Sequence, residues 1–300
     1  MSTRIPLCVA AALCGAALAG APTAQAQNRI DTTIAVRGAA QLSVTNQSGE
    51  VHVRVWDRTQ IRVTAEYDRA RVEVTATGNR VSVRSSTWRG DNDVSYAISV
   101  PSGTAVEVNG VSTDVTVSGV CGEVTIQTVS GEVTASCLTG DASIQSVSGD
   151  VALTDVRGAV DVGSTSGEVV VRGARGDVTA HAVSGDLTLE DITGSQVSGE
   201  TVSGDLSYGG RIADAGRYHF QSHSGDVTLR IAGTVNATVE VSTFSGDLES
   251  DFPVQLPPGT RVSAHEWQFQ LGTGGARIKL ESFSGTIELR RGSATTNREE

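Results

Sequence analysis

The sequence predicts an all-β fold, a parallel β-solenoid-like stack of nine-residue strand-turn units closed by irregular β-rich caps. One observation is a glycine every nine residues, at Gly122, Gly131, Gly140, Gly149, Gly158, Gly167, Gly176, Gly185 and Gly194. Another is that every second glycine lies in a stronger Val-Ser-Gly-Asp motif or a close variant, so the full repeat is eighteen residues. Such self-similarity is typical of architectures in which each unit buries its apolar face on its neighbours.

Apolar residues recur at fixed places within each unit. With the glycine counted as position zero, they fall at positions two, four and seven, as in Val124, Ile126 and Val129. Positions two and four alternate as one buried face of a strand requires. Position seven is expected to lie beyond a bend and to point inward again. Each unit is therefore predicted to be a short strand, a glycine-centred turn and a corner.

Two units are predicted to form one coil of about eighteen residues, with coils stacked about 4.8 Å apart. The glycine column is attributed to corners that need a positive φ, which glycine adopts without steric cost. The Asp or Glu that follows each glycine is expected to satisfy backbone amides of the turn. No helical pattern of useful length follows the first 26 residues.

Residues 1–26 have the features of a secretory signal peptide. They contain a single charge, Arg4, then an apolar run over residues 7–19 and small residues at Ala24 and Ala26. The run is shorter than the roughly 20 apolar residues of a transmembrane helix. The mature chain is therefore predicted to start at Gln27 and to be exported, to the periplasm or to the cell surface.

Residues 27–111 are predicted to be a β-rich start of the repeat domain that closes one end of the solenoid. They alternate apolar and polar residues, as over 51–55, and hold one copy of the motif around Gly49 without the nine-residue spacing. Residues 112–250 hold the β-solenoid repeats. There the spacing between motif glycines rises from 18 to 19 and then 21 residues, which predicts longer coils with insertions.

Residues 251–291 are predicted to contain a C-terminal β insertion and the last coil. The segment 252–276, with its Pro257-Pro258-Gly259 turn, is expected to be an inserted hairpin or capping element. The motif then returns at Gly285. Residues 292–300 are predicted to be a polar tail.

The composition excludes several classes of partner. The formal net charge is −11, from 23 basic and 34 acidic residues, which argues against nucleic acid and anionic lipid. No later apolar stretch could cross a membrane, so no integral membrane segment is expected after signal cleavage. Only 4% of residues are aromatic, so small β-branched side chains are expected to fill the core.

The acids that follow the glycines are predicted to stack in two rows. One row holds Glu132, Asp150, Glu168 and Asp186, and the other Glu123, Asp141 and Asp177. Calcium-binding β-rolls also use nine-residue units, but their turns need several glycines and an Asp, whereas each turn here has one glycine and one acid. Solvated carboxylates that cap turns are the favoured interpretation, and no metal or cofactor is expected.

Two other patterns suggest binding activities that we regard as less well supported. Threonines at position three suggest a flat ice-binding face, but position five supplies only Thr154 as a second threonine; the position-three residues are Thr116, Thr125, Thr134, Thr179 and Thr188. An Arg-Gly-Asp tripeptide occurs at 89–91 and at 175–177. The second copy arises whenever arginine fills a variable slot of the repeat, so coincidence is the favoured explanation.

Cys121 and Cys137 remain after signal cleavage, in a compartment where disulfides persist. By register they lie on adjacent coils but two positions apart, at the limit of disulfide geometry. A disulfide and a pair of buried small residues are both open at this point. His219 and His223 form the only close histidine pair and are expected on a strand surface.

No catalytic residue is predicted, because the Ser-Gly-Asp turn repeats and no serine among the copies is distinguished. The enzymatic alternative is a β-helix polysaccharide lyase or hydrolase. That alternative requires a groove lined by Trp56, Trp88 or Trp267 with carboxylates close by. All three tryptophans lie outside the regular ladder.

The chain resembles the DUF4097 family of bacterial β-repeat proteins, described as proposed adhesins or toastrack domains. The resemblance is carried by Asn46-Gln47-Ser48-Gly49-Glu50-Val51, by Trp56-Asp57, by the Val-Pro-Ser-Gly step at 100–103 and by the ladder of Val-Ser-Gly-Asp units. It covers residues 30–290. It implies an all-β stacked domain on the extracytoplasmic side, often linked to envelope stress, and it supplies no catalytic residues.

The expected function is that of a non-enzymatic exported module that acts by surface contact, as an envelope interaction, scaffold or stress-related domain. The alternative is a cell-surface adhesin that binds glycan or another cell. The partner is expected to be an envelope protein or a surface glycan. Residues 41–111 and 252–276 are expected to carry specificity, because they break the repeat.

Overall fold

The computed structural model describes residues 28–86, 93–253 and 265–292, and every regular element in these ranges is a β-strand. The first strands are β1 (Asn28–Ala35), β2 (Gln41–Val55), β3 (Gln60–Tyr67), β4 (Arg71–Thr77), β5 (Arg80–Ser86), β6 (Val94–Val100) and β7 (Ala105–Ser118). The repeats follow as β8 (Val124–Ser130), β9 (Val133–Leu138), β10 (Ala142–Ser148), β11 (Val151–Val156), β12 (Val160–Ser166), β13 (Val169–Arg172), β14 (Val178–Ser184), β15 (Leu187–Ile192), β16 (Gln196–Ser203), β17 (Leu206–Gly210), β18 (Arg217–Ser224) and β19 (Val227–Ala232). The last strands are β20 (Ala237–Ser245), β21 (Leu248–Ser250), β22 (Glu266–Leu271), β23 (Ala276–Ser284) and β24 (Ile287–Gly292).

The strands form two facing layers with the core between them. The front sheet runs in the order β4-β5-β2-β7-β8-β10-β12-β14-β16-β18-β23-β20-β22. The back sheet runs in the order β1-β3-β6-β2-β7-β9-β11-β13-β15-β17-β19-β24-β21. The long strands β2 and β7 belong to both sheets. Antiparallel strands occur only towards the two ends of the described stack.

The central strands confirm the predicted parallel stack with a register of one coil. On the front sheet Val124 pairs with Ala142, which pairs with Val160, each eighteen residues further on. On the back sheet Val133 pairs with Val151 in the same way. Because this offset equals the sequence repeat, each apolar residue stacks on the equivalent residue of the next coil. The stacked residues bury one another in the core.

The prediction for position seven is correct only on the back sheet. There a residue with positive φ at position six, such as Asp155 at 56°, turns the chain so that Val156 points inward. Front strands continue straight for seven residues, so position six faces the core and position seven faces outward. Val147 is therefore 50% exposed, contrary to the expectation from the repeat.

The two glycine columns have different physical causes, whereas the sequence suggested one. After front strands the glycines have positive φ, as at Gly149 (149°). Before front strands φ is ordinary, but a Cβ at Gly140 would lie 2.3 Å from the carbonyl oxygen of Gly122 one coil away. Close stacking of backbones, and not φ, therefore requires that second column.

The core between β15 and β18 contains large aromatic side chains, although β-branched residues were expected throughout. Tyr208 lies 5.0 Å from Phe220 and 6.0 Å from Tyr218, measured between ring centroids. Gly199 makes room for them, since a Cβ there would lie 3.2 Å from the Phe220 ring. The small residue of one strand thus compensates for the large residues of its neighbours.

The chain's last coil does not lie at the end of the stack. Strand β23 pairs with β18 on one side and with β20 on the other, and β24 lies between β19 and β21. The coil formed by β20 and β21 is therefore outermost, and β22 covers its front edge in antiparallel orientation. The residues 254–264 of the expected hairpin, with its Pro-Pro-Gly turn, lie outside the described ranges.

Candidate interaction surface

The front sheet carries an unbroken column of outward side chains that is mostly apolar, which we call the apolar ladder. Its nine members are consecutive partners in the parallel register: Val111, Val129, Val147, Thr165, Val183, Val202, His223, Phe283 and Phe244. At the usual strand spacing the ladder is about 38 Å long. Phe244 is 66% exposed and the five valines are about half exposed. Contiguous exposed apolar surface of this extent marks interaction sites.

The motif itself places each ladder residue outward. In Ser146-Val147-Ser148-Gly149, the serine at position six is buried, so the valine that follows it must face solvent. Several of these inner hydroxyls donate to the carbonyl of the turn glycine one coil earlier, as Ser222 does to Gly204 at 3.3 Å. The ladder was not predicted from the sequence, because the nine-residue period makes both halves of the repeat look alike. The signal was present at position six of alternate units, which is Ser or Thr in most front strands and Ala182 in β14.

Aromatic rings end the ladder at the C-terminal end of the stack. Phe244 and Phe283 stack with centroids 4.7 Å apart and planes 2° from parallel. His223 stacks on the other side of Phe283 at 4.7 Å and 16°. Both His219 and His223 point outward from β18, as predicted for strand-surface residues. The stack gives this end a larger apolar surface than the valines provide.

Charge is separated along the front face, beside the ladder. In the column at position one, the acids Glu123 and Asp141 precede β8 and β10, whereas Arg217 and Arg277 begin the pairing of β18 and β23. The next column adds Lys279, which lies 2.9 Å from Glu281. Within the described residues Arg217 and Arg277 form no ion pair. In the column at position one the acids therefore lie towards the N-terminal end and the centre, and the arginines towards the C-terminal end. Glu240 and Glu281 add acids to the C-terminal end in the neighbouring columns.

Aspartates that follow the glycines bond to the neighbouring coil. The Asp150 carboxylate accepts the amide N–H of Glu168 at 2.9 Å, and Asp141 accepts that of Ala159 at 2.8 Å. Asp177 of the second Arg-Gly-Asp tripeptide accepts the N–H of Gln196 in the same way. The first tripeptide lies outside the described residues. In the described ranges, no three or more His, Cys, Asp or Glu side chains are grouped to hold a metal.

The remaining candidates from the sequence are dispersed. Cys121 and Cys137 are free thiols, and both are exposed, so the expectation of two buried small residues is wrong. The position-three threonines divide between the two sheets: Thr125 and Thr179 lie on the front, and Thr116, Thr134 and Thr188 on the back. They therefore form no single threonine face.

The described tryptophans do not share a groove. Trp56 follows β2 near the N-terminal end of the stack and donates to the carbonyl of Gln60 at 2.7 Å. Trp267 lies in β22 at the opposite end. Trp88 is outside the described residues. A shallow cavity of about 360 Å³ lies beside Gly209 and is lined by Glu190 and Arg230, without a tryptophan in its lining.

One protein family matches this chain over most of its length. The profile of the family described as Toastrack DUF4097 matches residues 39–290. A solved structure of a putative adhesin from Parabacteroides distasonis ATCC 8503 is 10% identical, with a TM-score of 0.45 over 88% of this chain and 98% of that one. A putative cell adhesion protein from Clostridium sporogenes ATCC 15579 is 9% identical, with a TM-score of 0.24 over 88% and 99%.

No curated protein is significantly similar in sequence. Within the described residues, no helix is long and apolar enough to span a membrane.

Proposed function

The chain belongs to the Toastrack DUF4097 family, and on that premise we propose that it is an exported, non-enzymatic contact module of the cell envelope. The apolar ladder on the front sheet is the observation that carries this proposal. A polar, acidic protein exposes such a column at a cost in solubility, and an interaction that covers it gives a reason for its presence. The partner class is an envelope protein.

A non-enzymatic role is supported by how evenly chemical groups are distributed along the stack. Some outward groups repeat from coil to coil, as Gln127 and Gln145 do in paired positions of β8 and β10. An active site instead needs a locally unique set of groups that converge on one reacting atom. The described front face provides a long array of similar contacts, which suits recognition of an extended surface.

The leader predicted over residues 1–26 supports export. If the leader is cleaved, the mature protein begins at Gln27. N-terminal sequencing of the protein from a fractionated bacterial envelope tests this directly. Full-length protein that retains Met1 in the cytoplasmic fraction would contradict export.

Site-specific photo-crosslinking in intact cells tests the contact role. A photoreactive residue replaces Val147 on the front sheet, and a matched control replaces Val170, which points outward from β13 on the back sheet. We expect a discrete adduct from position 147 and a much weaker one from position 170. Equal labelling from both positions, or none from position 147, would contradict a dedicated front face.

An adhesin that binds glycan is the second candidate, and the aromatic end of the ladder favours it. Sugars commonly pack against exposed aromatic side chains, and Phe244 is 66% exposed, with Phe283 and His265 stacked on either side of its ring. In this case Phe244→Ala should abolish binding of the purified protein to a glycan array, whereas Val147→Ala should leave it intact. Absence of glycan binding by the unmodified protein would remove this candidate.

A further inference from the structure

We propose that the front face docks a second copy of this chain, so that two copies pair face to face through their apolar ladders. The inference rests on the contact role proposed above and names the partner of that same surface. Such an interface is isologous, because both copies contribute the same residues around a two-fold axis. Three properties of the front face carry it: the symmetry of the ladder, the order of charges and the available area.

A two-fold axis parallel to the strands and passing over β14 brings each outward column onto the same column of the second copy. Rotation about this axis reverses the order of the strands in the second copy, so β8 of one copy lies over β23 of the other. The position along each strand is unchanged. Val183 is the fifth of the nine ladder residues and would meet its own copy. Val129 would face Phe283, and Val111 would face Phe244. Small side chains thereby oppose large rings at the three outer positions of each half of the ladder, and small side chains meet small ones over the three central strands.

The same axis pairs opposite charges in the column at position one. Strand β8 lies three strands before β14 and β23 three strands after it, so Glu123 would face Arg277. Strands β10 and β18 lie two strands away on either side, so Asp141 would face Arg217. Nothing in the apolar ladder requires this order of charges. Strand β14 lies under the axis, so Asp177 of this column would meet its own copy between these pairs, while its carboxylate accepts the N–H of Gln196. The opposite charges on either side of Asp177 share the axis that the ladder defines.

The two arginines further support an acidic partner. Arg217 and Arg277 are direct neighbours in the parallel register, where like charges repel. Within the described residues neither forms an ion pair. Acids from a second copy would offset that repulsion. The axis also brings Glu107 opposite Glu240, but these residues lie at the outer rim, where water and salt screen the repulsion.

The face is large enough for a stable dimer. Nine strands at about 4.8 Å and four outward columns about 7 Å apart give on the order of 800 Å² per copy. Standard specific interfaces bury about 800 Å² on each partner. The column beside the valines includes the neutral Gln127, Gln145 and Gln221. It also includes Glu200 and Glu281, which would be covered while each lies beside a basic side chain of its own copy, His181 and Lys279 respectively.

Sedimentation velocity of the purified mature chain between about 1 and 100 µM tests the pairing. We expect a monomer–dimer equilibrium, and Val183→Asp should weaken it at least roughly 100-fold, since two carboxylates would meet at the axis. Val170→Asp on the back sheet is the matched control and should leave the dissociation constant unchanged. A chain that stays monomeric throughout, or a dimer that tolerates Val183→Asp, would overturn the inference.

Charge reversal tests the orientation. Glu123→Arg and Arg277→Glu should each weaken the dimer roughly 10-fold, and the double variant should recover most of the loss because the pair is re-formed with opposite signs. Arg230→Glu on the back sheet is the control. Two single effects that simply add in the double variant would contradict this axis.

The photo-crosslinking experiment separates this inference from the proposed function. An adduct of position 147 with a second copy supports both. If position 147 forms an adduct only with a different envelope protein and the chain sediments as a monomer, the dimer is contradicted and the contact role is supported. Absence of any adduct together with a monomer in sedimentation would contradict both.

Discussion

At the residue scale, one glycine motif serves two backbone purposes. Gly149 has a φ of 149°, and a Cβ there would lie 2.1 Å from the carbonyl oxygen of Gly131. Gly158 has an ordinary φ, but its Cβ would lie 2.4 Å from the carbonyl oxygen of Gly140. The periodic glycines were evident in the sequence. The second cause was not, because it depends on how closely neighbouring coils approach.

Substitution of either column should therefore destabilise the protein. We expect Gly149→Ala and Gly158→Ala each to lower the free energy of unfolding by about 2–4 kcal/mol, through backbone strain or displacement of the stacked coils. Gly103→Ala is the control and should be near neutral, because its φ is ordinary and no atom lies within 4 Å of the added Cβ. Urea unfolding monitored by circular dichroism measures all three. Equal effects at 103 and 158 would contradict the stacking explanation.

Buried tyrosines give the stability a dependence on alkaline pH. Burial raises the pKa of Tyr96 to about 12, and burial also raises the pKa values of Tyr208 and Tyr218. A phenol whose folded pKa exceeds its unfolded value of about 10 contributes its full stability below pH 10. That contribution is lost as the pH rises from about 10 to about 12.

We therefore expect the unfolding free energy to fall above pH 10, and to fall less steeply in Tyr96→Phe. The decline should not vanish in that variant, because the other two tyrosines remain. At pH 7 the variant should differ from the parent by no more than about 1 kcal/mol, since within the described residues the Tyr96 hydroxyl makes no hydrogen bond of good geometry. Urea titrations at several pH values measure this. Identical alkaline slopes for both proteins would contradict it.

At the element scale, front and back strands are not interchangeable. A front strand is seven residues long and ends with an inward hydroxyl and an outward apolar residue, as β10 does with Ser146 and Val147. A back strand ends at a bend that returns an apolar residue to the core, as β11 does with Val156. The sequence pattern therefore has a period of nine residues, but the repeating structural unit is a coil of eighteen residues.

Deletion of a whole coil should be tolerated, and deletion of half a coil should not. Removal of residues 141–158 joins Gly140 to Ala159 and keeps every front strand in the front sheet. We expect a cooperatively folded protein of lower stability, because one set of neighbour contacts is lost. Removal of residues 141–149 would place back-strand residues in front positions and should prevent folding. Circular dichroism and thermal melting of both variants decide between the eighteen- and nine-residue units.

At the scale of the whole molecule, the order of coils in space differs from the order in the sequence. The last strands, β23 and β24, insert between the β18–β19 coil and the β20–β21 coil. Strand β22 then covers the front edge of β20, so β22 is the outermost front strand in the described part of the stack. The outermost coil thus depends on residues that follow it in the chain.

Truncation after residue 275 should consequently affect more than the residues removed. Without β23 and β24, the strands β20 and β21 lose their partners on the inner side, and β22 loses the support of β20. We expect amide hydrogens of residues 237–250 and 266–271 to exchange rapidly in the truncated protein. Truncation after residue 292 is the control and should preserve their protection. Retained protection after truncation at 275 would contradict this order of strands.

The sequence by itself determined the stacked all-β class, the parallel register and most buried positions. Register follows from an eighteen-residue repeat, because only that offset stacks Val124 on Ala142 and keeps polar columns outside. These properties are local and periodic, and a linear pattern records them. The outward-facing histidines and the surface position of the turn acids followed for the same reason.

Only the tertiary structure decided which half of each repeat exposes its position-seven residue, and so where the apolar ladder lies. That outcome depends on whether the chain bends at position six, as it does at Asp155, or continues straight, as it does at Ser146. The aromatic end of the ladder likewise requires that β23 lie beside β20, which brings Phe283 onto Phe244. These two residues are 39 positions apart and meet only because the order of the coils is reversed there. The sequence repeat does not predict such a contact.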